Sequence, residues 1–399
     1  MDRLTHPNES LSVDAGKLLD LIRKGDAATR PALERATGLA RATVVQRLRY
    51  LTDAGIVIER EGAETGVGRP ARVLGFNTDL AVALAADVGE SVIRIAATDL
   101  TPKILAECTI ELSVTTEPRK TLTEIVKACR RLMKEIGKPE RNALGVGLSL
   151  PAPVNHKEGR VFGPSVMRGW DGFDICGFVA ERLGCPALAD NDVNLMALAE
   201  YRQYWRHADH FLFIKAGTGI GSGIITNGEL YRGARGASGD IGHIQFDGVG
   251  APLCRCGKVG CVEARAAGWA IARDMSARGY AASNAREVIA LLERGEAACI
   301  QRVREAGRVL GEVIADVVSI LNPNAIVIGG TLSRAGEHLL SGVREMIYAR
   351  SLPLALEGLT IHSARLDDRA GILGAAQLMI DAQLAPGALS GSVSRLSAA

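Results

Sequence analysis

One stretch of the sequence places a histidine and three cysteines close enough to share a metal ion. His243, Cys254, Cys256 and Cys261 follow the pattern His-x10-Cys-x-Cys-x4-Cys. One imidazole and three thiolates form a closed tetrahedral ligand set, which structural zinc prefers. The alternatives are coincidence and a redox pair, but three cysteines within eight positions favour zinc. We therefore predict one structural zinc ion per chain.

A second group of polar side chains opens an otherwise apolar helical segment. Asn191, Asp192 and Asn194 lie in the stretch DNDVNLMALAE. An amide beside a carboxylate can bind adjacent hydroxyls of a sugar, and Asp192 could act as a general base on one hydroxyl. The alternative is helix capping, for which Asn and Asp are the usual residues. Taken alone, the segment favours capping.

A glycine-rich segment, GTGIGSG at residues 217–223, lies between two strand-like stretches. Such a turn lets backbone N–H groups approach a phosphate closely, although a tight hairpin uses glycine in the same way. Asp240 and His243 follow it, three positions apart, and lead into the cysteine cluster. Polar candidates therefore concentrate between residues 190 and 263.

The first 76 residues have the pattern of a small DNA-binding domain. Three amphipathic helical stretches are followed by two alternating stretches, 56–60 and 72–76, which read as strands. Thr29 is a suitable helix cap and Gly38 a suitable helix stop. Three helices and a two-stranded wing describe a winged helix-turn-helix. The alternative is a helical packing module that binds no DNA.

The helix that begins near residue 41 would be the recognition helix, whose N-terminal side chains face base edges in the major groove. With its leucine and valine stripe turned inward, the outward set includes Arg41, Thr43, Gln46 and Arg47. Arginine can read guanine and glutamine can read adenine through paired hydrogen bonds. Residues 29–76 hold eight arginines and five acidic residues, an excess of 8 − 5 = +3.

The segment between the two wing strands, Gly66-Val67-Gly68-Arg69-Pro70, suits a different DNA contact. Glycine and proline keep the chain extended, so Arg69 can enter a narrow minor groove, where the potential is most negative. The alternative is an ordinary flexible linker. Beside a helix-turn-helix, the minor-groove interpretation is favoured.

The remainder of the chain predicts a duplicated α/β fold. Residues 82–100 and 211–230 both read as a strand, a glycine-containing turn and a second strand. We expect five segments: a DNA-binding domain, a first lobe, a second lobe with the zinc site, a helix that completes the first lobe, and a small polar tail without order. Their bounds are 1–76, 77–196, 197–369, about 370–385 and 386–399.

The composition of the chain excludes several classes of protein. Its 399 residues include 47 basic and 45 acidic side chains, a net charge of +2, so no overall charge points to nucleic acid. No apolar run has the length of a membrane span, and the N-terminus lacks the apolar core of a secretory signal. We expect a cytoplasmic protein whose other five cysteines are free and buried.

Together these segments resemble the ROK family, which unites sugar-responsive repressors with sugar kinases. The most specific stretches are GTGIGSGIITNGELYRGARGASGDIGH and LCRCGKVGCVE. The resemblance implies a two-lobed, actin-like (ribonuclease-H-like) ATPase-type fold with the sugar between the lobes. It also implies that zinc, held by the one histidine and three cysteines, orients His243. The residues implied to surround the sugar are Asn191, Asp192, Asp240, His243 and Glu263.

Two departures from the family pattern bear on activity. Kinases of the family have Asp-x-Gly-Gly-Thr in their first phosphate loop, whereas this chain has Asp87-Val88-Gly89-Glu90-Ser91. Glu90 puts a negative charge where a phosphate should approach, which disfavours ATP binding. Asp240 replaces the usual glutamate of the family and is one methylene shorter.

These features predict a transcriptional regulator, a repressor of carbohydrate genes, that binds operator DNA as a homodimer or homotetramer and responds to a sugar or sugar derivative. We expect that the protein is not an enzyme. The main alternative is an ATP-dependent sugar kinase with a regulatory N-terminal domain, in which Asp192 would be the base. A third interpretation is a zinc-dependent module that senses a partner protein.

Overall fold

The computed structural model describes residues 7–61, 72–163, 167–246 and 251–397. In these ranges no single helix is long and apolar enough to cross a membrane; one bent pair, Asp367–Leu384 with Leu389–Arg395, meets the length and composition criteria only in combination. Arg69, the predicted minor-groove residue, lies outside the described residues.

The N-terminal domain has three helices and a two-stranded antiparallel wing. These elements are α1 (Pro7–Lys24), α2 (Arg30–Thr37), α3 (Arg41–Asp53), β1 (Val57–Glu61) and β2 (Arg72–Phe76). The buried face of α3 packs against α1, and its inward residues belong to the core that also contains the wing. The arrangement is that of a winged helix-turn-helix.

Local sequence explains where the short helices begin and end. The Thr29 hydroxyl accepts a hydrogen bond from Ala32 N at 3.4 Å, which caps α2. Gly38 ends α2 with a φ of 67°, a left-handed conformation that glycine adopts without a steric penalty. Ala40 precedes α3 without any side-chain cap. The start of α3, the predicted recognition helix, is therefore fixed by packing and not by a capping residue.

The first lobe is a mixed five-stranded sheet with helices on it. Its elements are β3 (Val82–Val88), β4 (Val92–Thr98), β5 (Ile104–Glu111), α4 (Pro118–Glu135), β6 (Ala143–Leu150), β7 (Val154–Asn155), β8 (Arg160–Val161), α5 (Ile175–Leu183) and β9 (Ala187–Asn191). The strand order is β5-β4-β3-β6-β9, with β3 to β5 antiparallel and β6 and β9 parallel to β3. Helix α6 (Asp192–Glu200) follows β9 directly and continues into a π-helical turn, Tyr201–Trp205.

The second lobe repeats that topology. Its elements are β10 (His210–Ala216), β11 (Ile220–Thr226), β12 (Glu229–Tyr231), α7 (Val262–Ala266), α8 (Gly268–Ala277), α9 (Ala285–Glu293), α10 (Ala297–Leu321), β13 (Ala325–Gly329), α11 (Glu337–Arg350), α12 (Pro353–Leu356) and β14 (Thr360–Ser363). The strand order is β12-β11-β10-β13-β14. The equivalent order in the two sheets explains the weak internal repeat, and the predicted fold class is confirmed.

Two helices link the sheets at the base of the cleft, α6 and α13 (Ala370–Leu384). Their close approach depends on glycine. A Cβ on Gly374 would clash with the backbone of Leu195 in α6, and a Cβ on Gly147 in β6 would clash with the backbone of Ala375. The expected boundary between lobes, at residue 196, falls inside α6. The lobes are therefore joined by a continuous helix and not by a linker.

The C-terminal tail corrects an expectation. Residues 386–399 were expected to lack order, but Leu389–Ser397 form helix α14. Leu389 is fully buried, and the Ser392 hydroxyl donates a hydrogen bond to Gln383 O at 2.9 Å. Leu389, Ser392 and Val393 follow helical spacing (i, i+3, i+4), so even this small polar segment has one face to bury.

Candidate functional site

Helix α6 opens at the candidate ligand site, and its first residues are held by the helix itself. The Asn191 side-chain oxygen accepts hydrogen bonds from Val193 N at 3.0 Å and Asn194 N at 3.4 Å, so Asn191 caps the helix. Its amide donates one hydrogen bond to Ala152 O at 3.1 Å, and an amide nitrogen carries two hydrogens. Capping and ligand binding are therefore compatible in this residue.

Asp192 has a cationic partner that the sequence analysis missed. Its Oδ1 accepts a hydrogen bond from Val193 N at 2.7 Å, and its Oδ2 forms an ion pair with Lys215 Nζ. Burial lowers the pKa of the Lys215 ammonium, but Asp192, with help from Asp87, raises that pKa above its ordinary value. Lys215 is therefore a stable cation at this position. A single lysine in the otherwise apolar strand FLFIKA was the available signal.

A buried polar network lies directly behind Asn191. Asp190 is 1% exposed and binds Arg232 Nε at 2.6 Å through Oδ2 and Asn194 Nδ2 at 2.9 Å through Oδ1. His156 Nδ1 lies 3.8 Å from the same carboxylate. A buried carboxylate is costly unless it is paired, and these partners provide the pairing. The network holds the start of α6 to the loops around it. Asn194 therefore belongs to this structural network, through the hydrogen bond that its amide donates to Asp190.

Asp87 and Glu90, from the segment compared above with the kinase phosphate loop, come next along the first lobe. Asp87, at the end of β3, accepts a hydrogen bond from the Ser149 hydroxyl at 2.5 Å. Burial raises the pKa of the Asp87 carboxyl, and the Ser149 hydrogen bond opposes that rise. Glu90, in the following turn, lies 3.9 Å from Arg255 Nη1, which is in the cysteine-rich loop of the second lobe. The turn after β3 is thus in contact with the opposite lobe.

The glycine-rich segment brings the other candidates together around the start of β11. A Cβ on Gly219 would lie 2.8 Å from Glu263 Oε2, and a Cβ on Gly221 would lie 3.0 Å from Val193 Cγ2 of α6. Glu263 Oε2 also accepts a hydrogen bond from Ile220 N at 3.2 Å, and its Oε1 accepts one from Trp269 Nε1 at 3.4 Å. The glycines therefore let α6 and the Glu263 carboxylate approach the same strand.

The turn that carries Asp240 and His243 packs on that strand as well. Ser222 N donates a hydrogen bond to Gly239 O at 2.8 Å, and a Cβ on Gly242 would clash with Ile220 O. His243 is half-buried in the short 3-10 helix Ile241–His243. Asp240 precedes it with an exposed side chain that makes no capping hydrogen bond to this turn.

The predicted metal ligands form one cluster. One donor atom from each of the four side chains, His243, Cys254, Cys256 and Cys261, lies within 4.8 Å of the others. His243 Nδ1 is 3.8 Å from Cys254 Sγ, and Cys256 Sγ is 3.7 Å from Cys261 Sγ. Tetrahedral zinc with bonds of about 2.3 Å to sulfur requires sulfur pairs about 3.8 Å apart, so the donor set fits a metal ion of this kind.

Helix α3, the predicted recognition helix, exposes some but not all of the side chains that were predicted to face DNA. Arg41 and Gln46 are exposed and Thr43 is half-buried on α3. Arg47 contradicts the prediction, since it is only 9% exposed and its Nη2 lies 3.6 Å from Asp14 Oδ2 of α1. Residue 47 lies three positions after the buried Val44, so it falls on the inward stripe of the helix.

Comparisons with known proteins agree with this architecture. The sequence profile of the ROK family matches residues 83–382. A putative xylose repressor of Caldicellulosiruptor sp. is 28% identical over 402 residues, covering 95% of this chain and 98% of the repressor. The crystal structure of a ROK family transcriptional regulator, a homolog of the E. coli MLC protein, matches with a TM-score of 0.83 at 26% identity, covering 96% of this chain and 99% of that one.

A kinase relative covers a different share of the chain. A glucokinase of Halalkalibacterium halodurans is 30% identical over 310 residues, which is 93% of the glucokinase but 73% of this chain. The repressor match covers nearly all of this chain and therefore includes the N-terminal domain. The glucokinase match covers nearly all of the glucokinase but leaves about a quarter of this chain unmatched. The family profile spans both lobes, and the chain belongs to the ROK family.

Proposed function

We propose that this protein is a transcriptional repressor of carbohydrate genes that responds to a sugar. The observation that carries the proposal is the winged helix-turn-helix joined to a ROK domain, in an order that a putative xylose repressor matches over 95% of this chain. Phosphoryl transfer to a sugar does not require a helix that fits the major groove of DNA, whereas operator binding does. The glucokinase relative covers only 73% of this chain, whereas the repressor covers nearly all of it.

For operator binding, we assign base contacts to Arg41, Thr43 and Gln46 on the exposed side of α3. Arg69 is proposed to reach the minor groove beside them. Arg47 stays within the domain, where its ion pair with Asp14 fixes α3 on α1. Two such domains of a homodimer or homotetramer would contact half-sites separated by whole turns of DNA.

For the effector, we assign the sugar to the cleft at the N-terminus of α6. Asn191 and Asp192 would bind adjacent hydroxyls, and Asp240, His243 and Glu263 would complete the site from the second lobe. The exposed, shorter Asp240 leaves more room than a glutamate, which suits a substituted sugar. All five residues lie on segments that pack around α6 or β11.

For the metal, we propose one zinc ion held by His243, Cys254, Cys256 and Cys261. Bound zinc would act structurally, since four protein ligands leave no open position for a substrate. With Nδ1 of His243 facing the thiols, Nε2 is the ring nitrogen left to donate to a sugar. Metal binding would thus set the orientation of one ligand contact.

Sugar binding has a direct route to the DNA-binding domain. Helix α6 starts at the cleft, and Arg202, in the turn that follows it, donates to Asp381 Oδ2 of α13 at 3.1 Å. Arg23 of α1 donates to Asp381 Oδ1 at 3.0 Å. A ligand that favours one lobe angle would shift α6 and α13 together, and with them α1.

The deciding experiment is fluorescence anisotropy with the protein's own upstream intergenic DNA and a scrambled duplex of equal length, at several salt concentrations and with a panel of sugars. Tight, sequence-dependent binding that one sugar alters supports the proposal. Equal, salt-sensitive binding to both duplexes would reflect the phosphate backbone alone and refute it.

The kinase alternative rests on the 30% identity to a glucokinase. It predicts ATP-dependent phosphorylation of a sugar that Asp192→Asn abolishes. We propose that no such turnover occurs, because Glu90 places a carboxylate in the phosphate loop. The partner-sensing alternative predicts no saturable sugar binding at all, which the same panel tests.

A further inference from the structure

The duplicated fold places two oppositely charged residues at equivalent positions. Asp87 is the second-last residue of β3 and Lys215 is the second-last residue of β10. Each lies in the central strand of its sheet, flanked by the antiparallel strand of its hairpin and by a parallel strand, β6 or β13. Each is followed, two residues later, by the glycine that starts the turn. The two hairpins therefore bring an aspartate and a lysine to the cleft from opposite lobes.

Lys215 is the cation that pairs with Asp192 in this cleft. Its ammonium pairs with Asp192, and the charges of Asp87 and Glu90 also act on it. Another cation, Arg94, is opposite Asp87 in the β3–β4 ladder, but its guanidinium binds the Asp368 carboxylate and carbonyl, both at 2.5 Å. Arg255 pairs with Glu90 at 3.9 Å and stacks over the Trp269 ring.

Carboxylates that converge in a partly buried site need a cation. If no side chain supplies one, they either gather protons or bind a hard divalent cation such as Mg²⁺ or Mn²⁺. A lysine ammonium supplies one positive charge and three hydrogen-bond donors. Unlike a metal ion, it does not coordinate a phosphate. Its presence therefore competes with a metal ion for the same oxygens.

We propose that Lys215 is a tethered cation that takes the place of a divalent metal ion between the carboxylates of Asp87 and Asp192, so that the cleft accepts an uncharged sugar without metal or nucleotide. Asp192 can then still accept a hydrogen bond from a sugar hydroxyl. Its ion pair with Lys215, however, opposes the proton abstraction that a kinase would require of it. The sugar half of this inference rests on the proposed function; the metal half does not.

The test measures Mn²⁺ binding, by the loss of the free-ion electron paramagnetic resonance signal, to the full-length protein. Mn²⁺ prefers oxygen ligands, so it leaves the thiolate cluster undisturbed. Lys215→Met removes the charge and keeps a similar length, and Lys215→Arg keeps the charge as a matched control. The double variant Lys215→Met, Asp192→Asn removes an oxygen ligand from the site that the first change would create.

We expect Lys215→Met to bind Mn²⁺ about tenfold or more tightly than the wild type and Lys215→Arg, and the double variant to lose that gain. Equal binding by the wild type and Lys215→Met would overturn the proposal. If Lys215→Met does not fold, the wild type still decides, because Mn²⁺ binding that Asp192→Asn abolishes is incompatible with a site filled by lysine. DNA and sugar binding are measured separately, so a failure here leaves the repressor proposal to its own test.

Discussion

Arg23 of the N-terminal domain lies 3.0 Å from Asp381 of α13, the helix that packs against both α6 and the first sheet. The two side chains are 16% and 27% exposed, so the pair is shielded from much of the solvent. Asp381 also binds Arg202, directly after α6. One carboxylate thus connects the DNA-binding domain to the helix that starts at the proposed sugar site.

Replacing that carboxylate should weaken the communication between sugar and DNA. We expect Asp381→Asn to retain operator binding but to reduce the sugar-induced change in operator affinity by about fivefold or more, since allosteric coupling of a few kcal/mol is carried by such contacts. Anisotropy titrations with and without the sugar measure this. Glu345→Gln, which removes the exposed Arg308–Glu345 pair, is the matched control. An unchanged sugar effect in Asp381→Asn would exclude this route.

Two arginines of α3 should separate DNA recognition from stability. Arg41 is exposed, so Arg41→Ala should cost about 1–3 kcal/mol of operator binding with little change in melting temperature. Arg47 is buried against Asp14, so Arg47→Ala should lower the melting temperature through a lost ion pair and lost packing. Anisotropy and thermal denaturation on both variants test the assignment. A stable Arg47→Ala variant with a pure DNA defect would restore Arg47 as a base contact.

The sequence was most informative where function depends on local spacing. The His-x10-Cys-x-Cys-x4-Cys pattern predicted a cluster whose donor atoms do lie together, because a short loop brings its own residues into contact. The two similar hairpins, β3–β4 and β10–β11, predicted the duplicated topology because each hairpin is itself a local structure. The same local spacing places Arg47 three positions after the buried Val44, on the inward face of α3, so the prediction that Arg47 faces DNA is wrong.

Long-range partners could not be predicted in this way. Lys215 and Asp192 are 23 positions apart, and Arg232 and Asp190 are 42 positions apart. Which carboxylate meets which cation depends on the register of β10 and on how α6 crosses it, and neither is encoded in nearby residues. The glycines of GTGIGSG were recognised, but their role in admitting α6 and Glu263 emerges only from the packing.

The metal cluster should be required for the fold of the second lobe. Cys261 is fully buried within the cluster, so Cys261→Ser should abolish binding of the proposed zinc ion and lower the melting temperature. Structural zinc contributes folding energy directly. Cys108→Ser, which changes a half-buried cysteine of β5, is the control for loss of a thiol. Metal analysis should give about one zinc per chain for the wild type. Well-folded protein without metal would contradict the assignment.

Glu200 should make the stability of the protein depend on pH. It is fully buried in α6, where Oε1 accepts hydrogen bonds from the backbone N–H groups of Arg365 at 2.6 Å and Leu366 at 2.7 Å. Oε2 has no hydrogen-bond partner within the described residues. Burial raises the pKa of the Glu200 carboxyl, and the two backbone hydrogen bonds offset only part of that rise.

The sign of the dependence follows from proton linkage. Between the unfolded pKa of about 4.3 and the raised folded pKa, the folded state binds more protons than the unfolded state, so stability falls as pH rises through this window. Glu200→Gln keeps an oxygen for the two N–H groups and cannot ionise. Its free energy of unfolding should therefore gain on that of the wild type as pH rises above about 4.3, and level off above the folded pKa. Urea denaturation at a series of pH values measures the difference.

Glu287, whose pKa is lowered by hydrogen bonds from the backbone and hydroxyl of Ser283, is the control, because Glu287→Gln should shift stability in the opposite direction. If the difference between Glu200→Gln and the wild type stays constant with pH, the pKa of Glu200 is not raised in the folded protein.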